Sequence, residues 1–382
     1  MNGSAISGKG AYLGVAAINN AGQVTGTRIV DGSFHAFITN SSGQMTDLGT
    51  LGGDFSTATA INNAGQVTDY SQTTTSPTGH GNAFVTNSSG QMTDLGNDTQ
   101  GWAINDAGQV TGSVSSVTDG NYNYHAIVIN SNGQMTDLGT LGGDRSSGWA
   151  INNAGQVTGT AQITDGSDHA FVTDSNGQKT DLGTLGGSQS HGRAINNAGQ
   201  VAGEAETADG SIHAFVTNSS GQMTDLGTLG DGHYMGVSDI NNAGQIVGSF
   251  FKAPAAGAFV TNPTASFKYS GAFVTDNGVV KDLNSLVANS AGSTLISANG
   301  INDVGQITGT SILNGLIHAF LLTPVASCDA NKDGKVNVTD LSIIYTAKNT
   351  VNPAYDLDGD GKVTVRDMRI CVLKCNNANC QP

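Results

Sequence analysis

The chain has 382 residues, of which 54 are Gly and 6 are Pro; 12% are charged and the formal net charge is −15. The glycine share is about twice the usual roughly 7%, which suits short strands and tight turns rather than helices. Residues 328–382 hold 7 of the 15 Lys and Arg and 7 of the 30 Asp and Glu, so residues 1–327 carry 8 against 23. Such a Lys-poor acidic surface argues against nucleic acid or anionic membrane as partner, and no run of 18 apolar residues predicts a membrane span.

The opening stretch "MNGSAISGKG" lacks the basic and apolar regions of a signal peptide. Together with the cysteines described below, this leads to the expectation of an extracellular or cell-surface protein whose export signal was trimmed or not cloned.

From residue 18 onward one motif dominates. "INNAGQVTGT" and close variants begin at Ile18, Ile61, Ile104, Ile151, Ile195, Ile240 and Ile301, spaced 43, 43, 47, 44, 45 and 61 residues apart. Within Gly148 to Leu182 the apolar runs "WAI", "QVTGTAQI", "HAFVT" and "QKTDL" are separated by "NNAG", "TDGSD" and "DSNG". Asn, Asp and Gly at such links supply the positive φ of hairpin turns, so each unit is predicted to form four antiparallel strands. A lone sheet of that kind cannot bury both faces, whereas seven arranged radially can. The fold class expected over residues 1–326 is all-β, a seven-bladed β-propeller.

The last unit, "INDVGQITGTSILNGLIHAFLLT", stops before a fourth strand. The N-terminal "SAIS" at Ser4 to Ser7 is therefore expected to complete that blade and close the ring. The sixth unit holds two "AFVT" segments, at Ala258 and Ala272, read as an inserted hairpin; a blade of its own there would make eight.

On these repeats, over about residues 11–323, the chain resembles the HAF-repeat family of extracellular bacterial proteins, named for the "HAF" at His35, His169, His213 and His318. Asn82 replaces the His in the second unit, "AIV" follows His125, and the sixth unit has Gly257. A histidine repeated in most blades reads as a packing residue, because an active site is normally asymmetric.

Residues that break the repeat are the better candidates for a site. Two places before each opening Ile stand Ala16, Thr59, Trp102, Trp149, Arg193, Ser238 and Asn299, with His191, His233 and Asp239 as further non-repeating titratable residues around the same strands. If the first strand of each unit is innermost, these positions lie near the central tunnel. GxSxG, HExxH and GxxxxGK[ST] are all missing, so a serine, zinc-protease or P-loop mechanism has no support. Propellers similar in general plan, the gluconolactonases and paraoxonases, hold Ca²⁺ in the tunnel and activate water. By that likeness the expectation is a calcium-dependent hydrolase of lactones or esters. His191 or Asp239 would handle the proton, Arg193 would steady an oxyanion, and Trp102, Trp149 and His233 would line the pocket. The alternative is a carbohydrate- or protein-binding propeller with both tryptophans as stacking platforms, and a third reading is a purely structural surface protein.

All four cysteines, Cys328, Cys371, Cys375 and Cys380, lie in the last 55 residues. Two disulfides in an oxidising compartment are expected, with three pairings open; zinc is the rival reading. Residues 327–382 are expected to form a small calcium-binding module. "DANKDGKVNVTD" at 329–340 places Asp329, Asn331 and Asp333 before a Gly, and "DLDGDGKVTVRD" at 356–367 places Asp356, Asp358 and Asp360 likewise. Oxygen ligands at alternate positions wrap a hard cation, with the carbonyls of Lys335 and Lys362, water-mediated Asn337 and Thr364, and closing Asp340 and Asp367. Over residues 328–374 this pair of loops resembles a type I dockerin, which implies two Ca²⁺ sites and a cohesin-type partner. The residues beside the closing ligands, Val338 and Thr339 against Val365 and Arg366, do not match, which disfavours symmetrical docking.

Overall fold

The computed structural model describes residues 2–5, 13–74, 81–118, 121–229, 233–252, 270–276, 278–287, 292–324, 328–330, 336, 338–352, 354–357 and 362–374. Seven antiparallel sheets follow one another along the chain, each built from one repeat. Their inner strands are Leu13–Ile18 in blade 1, Gly52–Ser56 with Ala60–Ile61 in blade 2, Thr99–Ile104 in blade 3 and Gly142–Ile151 in blade 4. Gly186–Ile195, His233–Ile240 and Thr294–Ile301 serve blades 5, 6 and 7. The protein is a seven-bladed β-propeller with four strands per blade.

The ring closes as the truncated last repeat requires. Asn2–Ala5 pairs antiparallel with the third strand of blade 7, in the register Asn2 to Thr323 and Ala5 to Phe320. The closing strand is thus centred two residues before the expected "SAIS", of which Ser4 and Ala5 take part. In blade 6 the second "AFVT" supplies the third strand, Ser270–Asp276. The first, at Ala258, and Gly257 lie outside the described residues, and Gly271 holds the place that His takes elsewhere. No eighth sheet occurs among the described residues.

The "AF" of the repeat is the core. Phe37, Phe84, Phe171, Phe215 and Phe273 have no exposed surface, and the Ala before each is equally buried. The third strand is sandwiched between neighbouring blades, so both of its faces are apolar, and burying each aromatic ring contributes about 2–3 kcal/mol.

The Gly of "VTGT" has a steric reason. A Cβ at Gly159 would overlap the carbonyl oxygen of Ser147 on the adjacent inner strand, and one at Gly112 that of Gln100. Blade 2 carries Asp69 in this place, and there the inner strand divides, stopping at Ser56 and resuming at Ala60. Asp69 is 3% exposed, and burial pushes its carboxyl up to about 7 against a side-chain hydrogen bond with Thr57.

In the tail, two short helices follow the acidic loops, α1 at Val338–Thr346 and α2 at Val365–Lys374. Cys328 and Cys371 are disulfide-bonded across Cα atoms 5.1 Å apart, resolving one of the open pairings; Cys375 and Cys380 lie outside the described residues. Both bonded cysteines pack with Ile344 and Val363 in a small core. No helix among the described residues is long and apolar enough to cross a membrane.

Candidate functional site

Six inner strands carry a β-bulge at the same step. Pairing with the second strand skips one residue between Val15 and Ala17, Gly101 and Ala103, Gly148 and Ala150, Gly192 and Ala194, Val237 and Asp239, and Ala298 and Gly300. The skipped residues are Ala16, Trp102, Trp149, Arg193, Ser238 and Asn299; in blade 2, Thr59 sits between the two halves of the divided strand. These are the repeat-breaking positions singled out from the sequence. A bulge releases its extra residue from the ladder and re-aims the side chain, so one position per blade is free to vary without disturbing strand pairing.

Freed in this way, the side chains of neighbouring blades meet. Thr59 Oγ1 donates to the Trp102 carbonyl at 3.2 Å, and the Trp102 and Trp149 rings lie 5.1 Å apart at 41°. The Arg193 guanidinium stands 5.5 Å from the Trp149 ring centroid, within cation–π range. At the seam between blades 7 and 1, Asn299 Nδ2 donates to the Val15 carbonyl at 2.5 Å.

A cavity of about 240 Å³ opens beside this belt at blades 3 to 5, lined by Trp149, His191, Arg193, Thr160, Tyr124 and the Arg145–Asp168 ion pair at 3.0 Å, together with Ser146 and Ser147. Arg193 donates through Nε to Glu204 Oε2 at 2.8 Å, and the other oxygen of Glu204 accepts the Val237 N–H at 2.8 Å. Glu204 is 7% exposed; burial raises its carboxyl pKa while Arg193 and the Val237 amide pull it down. His191 Nδ1 lies 3.2 Å from Thr160 Oγ1. Burial first, then the Arg193 charge, lowers its pKa against the weaker pull of Asp168. A neutral imidazole is thus held beside a guanidinium fixed at one edge.

Asp239 belongs to a different place. It lines an axial cavity of about 190 Å³ bounded by the Ile-Asn-Asn or Ile-Asn-Asp segments that end the inner strands of all seven blades. Its carboxylate accepts its neighbour's amide, Ile240 N–H at 2.8 Å, and Ile301 N–H at 2.9 Å from blade 7. Burial, followed by the Asp303 charge, pushes its pKa up to about 7 against these two hydrogen bonds. The structure brings His191, Arg193 and Trp149 to one pocket and puts Asp239 in another. Trp102 reaches the first only through Trp149. His233 opens the inner strand of blade 6 opposite Lys252, and its side chain lies outside the described residues.

The same axial cavity explains the Asn pairs. The first Asn of each pair, such as Asn152, is buried. Its Nδ2 donates to its own Gln156 Oε1 at 2.8 Å and to the carbonyl of Asn196 in the next blade at 3.1 Å, while its Oδ1 accepts from Ala154 and Gln156. The inter-blade bond recurs from Asn19 to Asn62, Asn62 to Asn105, Asn105 to Asn152, Asn196 to Asn241, Asn241 to Asn302 and Asn302 back to Asn19. A second belt runs one residue on, where each backbone N–H donates to the side chain of the next blade, as Asn153 does to Asn197 and Asp303 to Asn20. The turn-forming Asn residues therefore also lace the ring together.

Sequence reasoning missed several partners. The histidine of "HAF" is a brace: His35, His125, His169 and His213 each meet the Asp twelve residues later, at 2.8 to 3.1 Å. Asn82 reaches Asp94 in the same way at 2.9 Å, while the "NGSA" closing strand brings no Asp to His318. Glu204, Arg145 and Asp168 were also overlooked, although Glu204 breaks the "VTGT" pattern as visibly as Arg193 breaks its own.

In the tail, Asp340 and Asp367 are fully buried. Asp340 accepts the N–H of Ala330 at 2.8 Å, and Asp367 accepts those of Leu357 and Thr364 at 2.6 and 2.7 Å. Each closing carboxylate thus meets the second residue of its own loop, an arrangement that fits a loop curled around a hard cation. Asn331, Asp333, Lys335, Asn337, Asp358 and Asp360 lie outside the described residues. Among the described residues no group of three His, Cys, Asp or Glu side chains gathers as a metal centre.

No protein-family model and no curated protein matches this chain. Among solved structures it is similar to an oligogalacturonate lyase from Vibrio parahaemolyticus, with TM-score 0.52 and 10% identity over 84% of this chain and 92% of that one. It is also similar to a virginiamycin B lyase from Staphylococcus aureus, with TM-score 0.51 and 11% identity over 84% and 98%. An acylaminoacyl peptidase from Pyrococcus horikoshii gives TM-score 0.53 and 9% identity over 81% of this chain and 51% of its own, so the chain spans about half of that protein. At such identities the likeness is one of fold.

Proposed function

We propose that this protein is an extracellular carbohydrate-binding propeller (residues 1–326) carried on a calcium-folded, dockerin-like tail (residues 327–382), and that its ligand sits in the cavity of blades 3 to 5. One observation carries the reading. The bulges of blades 4 and 5 set Trp149 and Arg193 side by side at a cavity otherwise lined by Tyr124 and polar residues, with Trp102 of blade 3 packed on Trp149. A sugar ring offers an apolar face to an aromatic side chain and hydroxyls to polar neighbours, and a cavity of this size admits one such ring. Calorimetric titration of the full chain with monosaccharides and short glycans tests it. Trp149→Ala should weaken binding tenfold or more, Arg28→Ala in blade 1 should leave it unchanged, and equal binding by Trp149→Ala would sink the reading.

A second reading, turnover of a lactone or ester, rests on His191. Held neutral by burial and by Arg193, it is suited to take a proton from water, while Arg193 stabilises the oxyanion. Asp239 drops out of that scheme because it lies in the axial cavity. Assays on sugar lactones, N-acyl homoserine lactones and aryl esters decide between the two: turnover abolished by His191→Gln favours the enzyme, and binding without turnover favours the lectin-like role.

For the tail, Asp329, Asn331, Asp333, Lys335, Asn337 and Asp340 would hold one Ca²⁺, and Asp356, Asp358, Asp360, Lys362, Thr364 and Asp367 the other. A cohesin-type protein would be the partner. The buried closing carboxylates and the Cys328–Cys371 bond support this, and the disulfide agrees with an oxidising compartment. Calcium titration should show two sites, with one lost in Asp340→Ala and the other in Asp367→Ala.

A further inference from the structure

The charges of the pocket cancel in pairs: Arg145 meets Asp168 and Arg193 meets Glu204. Its hydrogen-bond donors do not cancel. Arg193 uses only Nε on Glu204, and its two Nη groups make no hydrogen bond among the described residues. The indole Nε1 of Trp102 and that of Trp149 are buried without an acceptor. A buried donor left unpaired costs about 1–3 kcal/mol, and such groups in a folded protein call for an explanation. A guanidinium with a free edge, beside two adjacent tryptophans whose indole N–H groups are also unpaired, leaves more donors here than the carboxylates of Asp168 and Glu204 take up.

Resting on the carbohydrate-site reading above, we propose that the recognised group is a carboxylate, so that the ligand is an acidic sugar of the hexuronate type. Two parallel N–H bonds from a guanidinium edge match the two oxygens of a planar carboxylate. Glu204 serves this as a positioning residue. Anchored to Val237 on blade 6 and to Arg193 Nε, it fixes the plane of the guanidinium and leaves the Nη edge toward the ligand. The sugar ring lies along Trp149, and its carboxylate supplies the acceptors that the Arg193 Nη groups lack. Neutral His191 adds no repulsion to the nearby arginines and is available as one more donor. A neutral hexose of the same shape leaves those donors unpaired, and a site built around a polar group rejects the analogue lacking it far more strongly than a site built on shape alone.

The chain has only two tryptophans, Trp102 and Trp149, so indole emission of the full-length protein reports on this region alone. Titration with a hexuronate should change the emission saturably, while the neutral hexose binds at least tenfold more weakly and inorganic sulfate does not compete. Arg193→Lys keeps the charge and removes the fork, and should weaken the hexuronate at least tenfold. Because Arg193→Gln strands a buried Glu204, the double variant Arg193→Gln/Glu204→Gln serves as the folded control. Its thermal transition should return near wild type with hexuronate selectivity abolished. Equal affinity for hexuronate and hexose, unchanged hexuronate binding in Arg193→Lys, or full competition by sulfate would each overturn the carboxylate while leaving a sugar site in place. Calorimetric sugar binding that leaves the tryptophan emission unmoved and survives Trp149→Ala would overturn the site itself, and with it this inference.

Discussion

Two levels of the propeller's inner strands obey different rules. At the end where the inner strands turn back, every blade contributes the same Ile-Asn-Asn or Ile-Asn-Asp segment, and each side chain is committed to a bond with the next blade. A few residues earlier on the same strands, the bulge position holds Ala, Thr, Trp, Trp, Arg, Ser and Asn in turn. The first is uniform because an Asn there satisfies four hydrogen bonds at once, three of them local and one to the next blade, and no other side chain of that length offers both two donors and an acceptor. The second is diverse because the bulge relieves that residue of any duty to the ladder. The uniform lacing of the ring and the side chains of the proposed ligand site thus occupy successive levels of one strand.

The contrast can be broken, beginning with the largest effect. Asn152→Ala removes four hydrogen bonds and strands the Asn196 carbonyl and two turn amides. At about 1 kcal/mol per bond, thermal unfolding should show a loss of roughly 4 kcal/mol, against less than about 1 for Trp102→Phe at the bulge level. Gly159→Ala should cost about 3 kcal/mol by overpacking, and its signature should be a divided inner strand in blade 4, seen in a structure of the variant as a break in strand pairing between Ser146 and Ala150. An intact strand there would refute the account of blade 2 given by Asp69.

The effect of pH sharpens the same point. Asp69 has a folded pKa of about 7 against roughly 3.9 in the unfolded chain. Its contribution is fully present below about pH 4 and is lost as pH rises through 7, a change of order 4 kcal/mol at about 1.4 kcal/mol per unit. Asp239, raised to about 7 as well, acts in the same direction. Stability measured between pH 4 and 8 should therefore fall for the native chain and flatten in Asp69→Asn, with more flattening on adding Asp239→Asn. A native profile that rises steadily across that window would refute both assignments. The smallest effect belongs to the outer braces: Asp181→Asn loosens an exposed His169 pair, and the shift in unfolding free energy should stay within about 0.5 kcal/mol.

Much of the ring was legible because it depends on local rules. Period, strand number, turn chemistry and the missing fourth strand of the last repeat all register in the order of residues, and together they imply seven blades and a borrowed closing strand. The bulge positions were found by their variability, without the bulge itself being foreseen. Pairings between residues stayed hidden. His169 and Asp181 are both plain in the repeat, yet their contact follows from the register of two strands. Asp239 was grouped with Arg193 because both break the pattern near an inner-strand Ile. One stands a single residue before its Ile and the other two, and along a strand that difference turns a side chain to the opposite side. Asp69 was passed over because its consequence depends on how near the neighbouring carbonyl comes, which no single strand reveals.

The seam between blades 7 and 1 has two independent latches. One is the backbone pairing of Asn2–Ala5 with Phe320–Thr323; the other is side-chain lacing, in which Asn302 reaches the Asn19 carbonyl, Asp303 the Asn20 side chain and Asn299 the Val15 carbonyl. The cost of joining distant parts of a chain grows only logarithmically with their separation, so once the lacing has drawn blade 7 against blade 1, the terminal strand finds its place as if in a short loop. For a chain made from one end to the other, the propeller strand that precedes all the repeats is then the last to be seated. Until the final repeat emerges it lacks its partner strand, and its backbone edge is left open for that interval.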